Sequence, residues 1–347
     1  MPGAHLQTIW PLLLKRGVAM PAYRRERIET PDGDFLDLDW CYGEPDTVGT
    51  HNASGNVPTA RGAGAACAAS LPTASPMATP LVVLFHGLEG SSHSHYARAL
   101  MHAVAERGWN GVVVHFRGCS GEPNRLPRAY HSGDSAEIAW VLDTLTQRYT
   151  EIHAVGVSLG GNALLKYLGE QGSQARLRAA AAVSVPYDLA AANVMLSQGV
   201  GRLYSRHFLR TLIPRTLAKA QRFPGHIGLN RLAELQATRT LRDFDEVATA
   251  PLHGFSGADH YYADSSSAQY LHGITVPTLL LHATNDPFLP ATAIPSASRL
   301  PGNVTLELSS QGGHVGFVGG GLPGNLEWLP HRLLAHLGQY TGHNRVA

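Results

Sequence analysis

The chain has 347 residues, 44% hydrophobic and 15% charged, which allows a large buried core in one or two domains. A formal net charge of +1 gives no electrostatic footprint for nucleic acid, and no stretch approaches the roughly 20 apolar residues that cross a bilayer. Three cysteines, Cys41, Cys67 and Cys119, are odd in number and widely spaced, so neither a disulfide framework nor a Cys-x-x-Cys metal site follows.

A reduced, cytoplasmic setting is the expectation, since Met1 to His5 is not a basic segment followed by a long apolar one. The 19 histidines include no His-Glu-x-x-His, and His93 and His95 stand two apart, neither helical neighbours nor a standard zinc pair. Most are expected at the surface, and no metal or other cofactor is expected.

Residues 1–24, with prolines at 2, 11 and 21 around Leu12 to Leu14, predict an irregular arm packed on the body. Arg25 to Glu29, the Asp32-Gly33 turn and the alternating Phe35 to Trp40 predict a half-buried antiparallel hairpin at a sheet edge. Residues 44–80 are rich in Ala, Ser, Thr, Gly and Pro. Such a segment buries too little apolar surface to offset its ordering entropy, and an expanded loop is expected.

From Leu81 strands and helices alternate. Leu81 to Phe85, Gly111 to Phe116, Ile152 to Val157 and Arg178 to Val185 are short apolar runs of the kind buried on both faces. A helix capped by Ser94 and one opened by Ser132 or Asp134 lie between them. Residues 186–272 break the rhythm with helical patterns at 189–196, 203–217 (broken near Pro214) and 231–244. A helical cap over the strand ends is expected there. Alternation resumes with Pro277 to His282, Val304 to Leu308 and a closing helix over 326–337. The predicted fold is α/β, a mostly parallel sheet flanked by helices, in one domain with its core at 25–185 and 273–342.

The chemistry centres on Gly156-Val157-Ser158-Leu159-Gly160, set between a strand and a helical pattern. This is the strand–turn–helix context of a nucleophile elbow, a turn so sharp that side chains at the flanking positions would clash. A serine hydroxyl needs a base, and the base needs an orienting group. Asp286 and His314 each follow a later strand, in the order Ser, acid, His, and are the candidates for those roles. Asp245, Asp259 and Asp264 are rival acids that follow no strand, and His282, inside its strand, is read as structural. The backbone N–H groups of Leu159 and of Leu88, in the His86-Gly87-Leu88 turn, are the expected oxyanion donors.

On these residues the sequence resembles the α/β-hydrolase superfamily and, within it, the YheT-like branch. The resemblance is carried by His5 to Pro11, His86 to Ser92, Arg117 to Asn124, Tyr130 to Gly133, Gly156 to Asn162, Ala283 to Phe288 and Gly312 to Phe317. It implies a serine carboxylesterase-like enzyme acting on small-molecule esters of short or medium acyl chains, without a cofactor. Members of the branch include fungal medium-chain acyl ester synthases/esterases and animal lipases of membrane lipids. The branch usually has two acids before the Pro-Phe pair; here Asn285 precedes Asp286, which favours Asp286 as the acid. Two alternatives stay open: an alcohol or thiol acyltransferase with the same triad, and a catalytically silent binding protein on the same scaffold.

Overall fold

A computed structural model describes residues 3–14, 17–43, 77–226 and 228–342. Of the expected loop at 44–80, residues 44–76 lie outside the described residues. Eight strands form one sheet: β1 (Arg24–Glu29), β2 (Phe35–Cys41), β3 (Leu81–Phe85), β4 (Asn110–His115), β5 (Ile152–Val157), β6 (Ala179–Val183), β7 (Thr278–Ala283) and β8 (Val304–Ser309). Their spatial order is β1-β2-β4-β3-β5-β6-β7-β8, antiparallel through β2 and parallel from β4 onward.

The hairpin sits at the edge as expected, but β2 is buried along its whole length rather than on one face. Asp37 and Asp39 are buried because Arg27 and Arg25 on β1 reach across as bidentate partners, with His115 at 2.9 Å from Asp39. The central strands are covered on both faces, which is why they read as continuous apolar runs.

On one face lie α4 (Ser135–Thr146) and α5 (Leu159–Gln171), whose Ile138, Leu142, Leu164 and Leu168 pack with Val83, Val112 and Ala154. On the other lie α3 (His95–Glu106) and α12 (Trp328–Leu337), whose Leu100, Val104 and Leu333 pack with Val82, Val113 and Val155. Ser94 and Asp134 occupy the N-cap positions of α3 and α4, yet neither side chain bonds its helix. Ser94 Oγ accepts from Ser91 N–H and Asp134 pairs with Arg128.

Further expectations are corrected. The N-terminal arm, expected irregular throughout, is helical over its first described part, as α1 (Ala4–Ile9) and α2 (Pro11–Leu14), and irregular over 18–23. In the 186–272 segment, α6 (Leu189–Leu196) matches its pattern, but α7 (Gly201–Arg222) runs through Pro214 without a break. Proline costs a helix interior one hydrogen bond and a clash. Packing on both sides of it, by Leu209, Leu212, Ile213 and Leu217, holds the axis. The pattern at 231–244 is divided into α8 (Leu232–Ala237) and α9 (Leu241–Phe244), because Thr240 starts a new helix with a reciprocal capping box to Asp243. A π-helical turn at 245–249, α10 (Ala250–Leu252) and α11 (Ala258–Ser265) complete the segment. The histidines are also less superficial than expected: His86, His95, His115, His153, His282 and His336 are buried.

Candidate active site

The order β4-β3-β5 places the loops after β3 and β5 at the point where the chain's winding reverses, the crevice where open α/β sheets take their ligands. Ser158 follows β5 directly. Its φ of 52° and ψ of −117° are strained for a residue with a side chain. The strain is imposed by closeness. A Cβ on Gly156 would lie 2.6 Å from Gly161 Cα, and one on Gly160 would lie 2.4 Å from the Phe85 carbonyl oxygen. Glycine at both places lets α5 close onto β3 and β5 and lifts the serine clear of the sheet.

The structure brings all three predicted side chains together. His314 Nε2 lies 3.0 Å from Ser158 Oγ, and His314 Nδ1 lies 2.9 Å from Asp286 Oδ2. The other oxygen of Asp286 accepts the Phe288 N–H at 2.8 Å. Asp286 is buried, while His314 keeps a small exposed fraction. An imidazole so held can take a proton from the hydroxyl while the carboxylate steadies the imidazolium. The rival acids are engaged elsewhere: Asp264 with Lys166, Asp259 with Arg242 and Asp245 with the Tyr262 hydroxyl. His282 is buried in β7 at 3.7 Å from Asp286, and burial lowers its pKa.

Leu88 and Leu159 both line the cavity at Ser158. Leu159 is the first residue of α5, where N–H groups have no intrahelical acceptor. In the β3 turn, Gly87 N–H donates to Tyr96 and Glu89 N–H to Tyr130, both at 2.9 Å, with Leu88 N–H between them. A Cβ on Gly87 would come within 3.2 Å of Ser158 Cβ, so the turn passes close to the hydroxyl. His86 fixes this turn: Phe116 N–H donates to its Nε2 at 3.1 Å, and its Nδ1 lies 2.7 Å from the Gly87 carbonyl. Burial holds its pKa down to about 3, so the ring is neutral.

Several positioning residues are not visible from the sequence. Gln7 and Thr8, on α1, hold the histidine loop. Gln7 Oε1 accepts Gly312 N–H at 2.5 Å, and Thr8 Oγ1 accepts His314 N–H at 2.9 Å. Asn285 Oδ1 accepts Gly313 N–H at 2.9 Å. Asn162, next to the elbow, donates to the carbonyls of Ser132 and Ser265 and accepts Ser267 N–H, tying α5 to the 186–272 segment. The phenyl ring of Phe288 stacks on His314. The strings that carry the resemblance, His5 to Pro11, Gly156 to Asn162, Ala283 to Phe288 and Gly312 to Phe317, contain these residues but not their roles; the partners of Gln7 and Thr8 lie some 300 positions away.

Above Ser158 lies a cavity of about 300 Å³. Its apolar wall includes Leu196, Phe208, Leu212 and Phe244 from the helical segment, packed with Leu88 and Phe288 from the site itself. No helix of the described residues is long and apolar enough to cross a membrane, and no group of three metal-ligating side chains occurs among them.

The sequence profile of the alpha/beta hydrolase fold matches residues 80–320. The chain is 40% identical over 331 residues to the "Putative esterase YheT" of Escherichia coli, covering 95% of this chain and 88% of that protein. It is 31% identical over 303 residues to the phospholipase ABHD3 of Mus musculus, covering 86% of this chain and 67% of that one. An esterase structure from Pyrococcus furiosus superposes with a TM-score of 0.54 at 16% identity, over 93% of this chain and 92% of the other, which reflects the common fold. With two thirds of its length matched by the family profile and a relative at 40% identity along nearly all of it, the chain belongs to the α/β-hydrolase family, on its YheT-like branch.

Proposed function

We propose that the protein is a serine carboxylesterase that hydrolyses small-molecule esters through an acyl-enzyme. The observation that carries this reading is the continuous relay from Asp286 Oδ2 through His314 to Ser158 Oγ, at 2.9 and 3.0 Å. Ser158 Oγ attacks the ester carbonyl as His314 Nε2 takes its proton, and Asp286 stabilises the resulting imidazolium. The carbonyl oxygen, now negative, accepts from the N–H groups of Leu88 and Leu159. Each such donor contributes roughly 2.7–4 kcal/mol in enzymes of this kind. His314 returns the proton to the leaving alcohol, and water repeats the sequence on the acyl-serine. No step calls for a cofactor.

Residues 186–272 act in this reading as the cap that shapes the acyl site. A cavity of about 300 Å³ with an apolar wall suits short to medium acyl chains. The names of the E. coli and mouse relatives, an esterase and a phospholipase, support ester hydrolysis. A cytoplasmic setting is supported by the free thiols of the buried Cys41 and Cys119.

The test is hydrolysis of p-nitrophenyl esters of graded chain length by the wild type and Ser158→Ala. Turnover is expected to peak at short to medium chains and to fall by about a millionfold in kcat in the variant. Activity that survives the substitution would remove the serine mechanism. Added ethanol separates hydrolysis from acyl transfer, since a transferase would form the ethyl ester in preference to the acid.

A further inference from the structure

The charges that line the cavity are nearly all matched. Arg215 meets Glu89 at 2.9 Å, Arg117 is shared by Asp32, Asp34 and Glu137, Glu122 accepts from Arg27, and Asp286 has His314. Asp245 accepts from the Tyr262 hydroxyl at 2.7 Å. Two cations one turn apart on α7 are left over. Lys219 and Arg222 also line the cavity, and neither has an ion-pair partner among the described residues.

Both are held only by neutral acceptors. Lys219 Nζ donates to Asn124 Oδ1 at 2.7 Å and to the Arg128 carbonyl at 2.8 Å, which leaves one of its three N–H groups over. Arg222 Nη1 donates to the Asn124 carbonyl at 3.0 Å, which leaves most of its five donors over. Asn124 itself donates to Asp34 at 2.6 Å, so the nearest carboxylate is one side chain removed and shares Arg117 with Asp32 and Glu137. Burial lowers Lys219 to about 8 against the pull of Asp34, and the group stays cationic at neutral pH.

A part-buried cation bonded directly only to neutral acceptors keeps N–H donors free for an anion, and in a ligand cavity that anion can come from the ligand. Asn124 and Arg128 lie in the loop that connects β4 to α4, and β4 stands on the side of β5 away from β8.

We infer that Lys219, with Arg222, forms a subsite for an anionic group on the ester substrate, a carboxylate or a phosphate, in the cavity that also holds Ser158. The inference rests on the esterase reading and adds a substrate class to it: amphiphilic esters with an acidic end, their acyl carbonyl at Ser158.

The test compares charged and neutral twins. One pair is mono-p-nitrophenyl suberate against p-nitrophenyl octanoate; the other is a monoacylglycerol phosphate against the same monoacylglycerol. The wild type is expected to favour the charged member of at least one pair in kcat/KM, by about ten- to a hundredfold, the scale of one charge-assisted hydrogen bond. The pair that responds tells carboxylate from phosphate. In Lys219→Met that ratio is expected to collapse toward one, through KM. Should the variant not fold, free suberate and glycerol phosphate are tested on the wild type as competitive inhibitors of octanoate hydrolysis. Inhibition by either supports the subsite. A wild type that cleaves the octanoate ester through Ser158 but ignores charge, or a ratio that survives Lys219→Met, overturns the subsite and leaves the esterase reading standing. A wild type that cleaves none of the four esters overturns both.

Discussion

The ring of Phe288 lies flat on the imidazole of His314, with centroids 4.0 Å apart and 14° between the planes. The same residue's N–H holds Asp286 Oδ1 at 2.8 Å. One residue therefore fixes both the plane of the imidazole and the angle of the carboxylate. The backbone bond survives any substitution except proline, but the stack does not survive loss of the ring. Phe288→Leu is expected to lower kcat by about ten- to a hundredfold, the scale of a misplaced catalytic group. Its KM is expected to change less than its kcat. Steady-state kinetics on one p-nitrophenyl ester checks this, and a kcat unchanged from wild type would show that the stack is incidental.

Gly160 is the tightest point of the elbow. An added Cβ would sit 2.4 and 2.5 Å from the carbonyl oxygens of Phe85 and His86, both backbone atoms that no side-chain rotation can move. Gly160→Ala must push α5 off β3 and shift the Gly87-Leu88 turn with it. A loss of at least about 3 kcal/mol in stability is expected, at the upper end of overpacking costs. Denaturant unfolding of the variant measures it.

The N-terminal helix α1 works on a site at the other end of the chain. Thr8 Oγ1 donates to the Ala4 carbonyl at 2.8 Å and accepts His314 N–H at 2.9 Å. Thr8→Val keeps the shape and removes both bonds. The expected result is a drop in stability of about 1–2 kcal/mol and a several-fold fall in kcat, read by urea unfolding and by ester turnover. Thr8→Ser, which restores the hydroxyl, is expected to recover most of both.

His86 predicts a pH dependence of stability. Burial lowers its folded pKa to about 3, against about 6.5 in the unfolded chain. Between those values the unfolded state binds the extra proton, so stability rises with pH there and is lost as pH falls from about 6.5 toward 3. The loss from this group is about 1.4 kcal/mol per pH unit. Asparagine at position 86 cannot titrate. The stability gap between wild type and His86→Asn is therefore expected to narrow by about that amount for each unit of acidification below pH 6.5. A gap that stays constant from pH 7 to pH 4.5 would contradict the buried neutral ring.

The sheet was legible because its central strands are covered on both faces, so β3 is an unbroken apolar run and β5 and β7 are apolar runs interrupted only by His153 and by Thr278 and His282. The meeting of Ser158, Asp286 and His314 was legible because each follows its own strand and the elbow's glycines are fixed by backbone contacts that only glycine permits. What sequence could not give is what long-range packing decides. Gln7 and Thr8 lie in an arm read as irregular, within the His5 to Pro11 string, and only the fold sets them against Gly312 and His314. Local propensity breaks α7 at Pro214, and tertiary contacts through Leu212 and Leu217 overrule it. Asp37 and Asp39 alternate as if solvent-facing, and their burial depends on arginines from the neighbouring strand.

The central claim is that His314 makes the Ser158 hydroxyl a nucleophile, and covalent labelling reads this most directly. The protein is treated with a fluorophosphonate probe and the adduct is mapped by peptide mass spectrometry. The account predicts a single adduct on Ser158 in the wild type, none in Ser158→Ala, and labelling slowed by several orders of magnitude in His314→Ala. An unlabelled wild type, or an adduct on another residue, would contradict it.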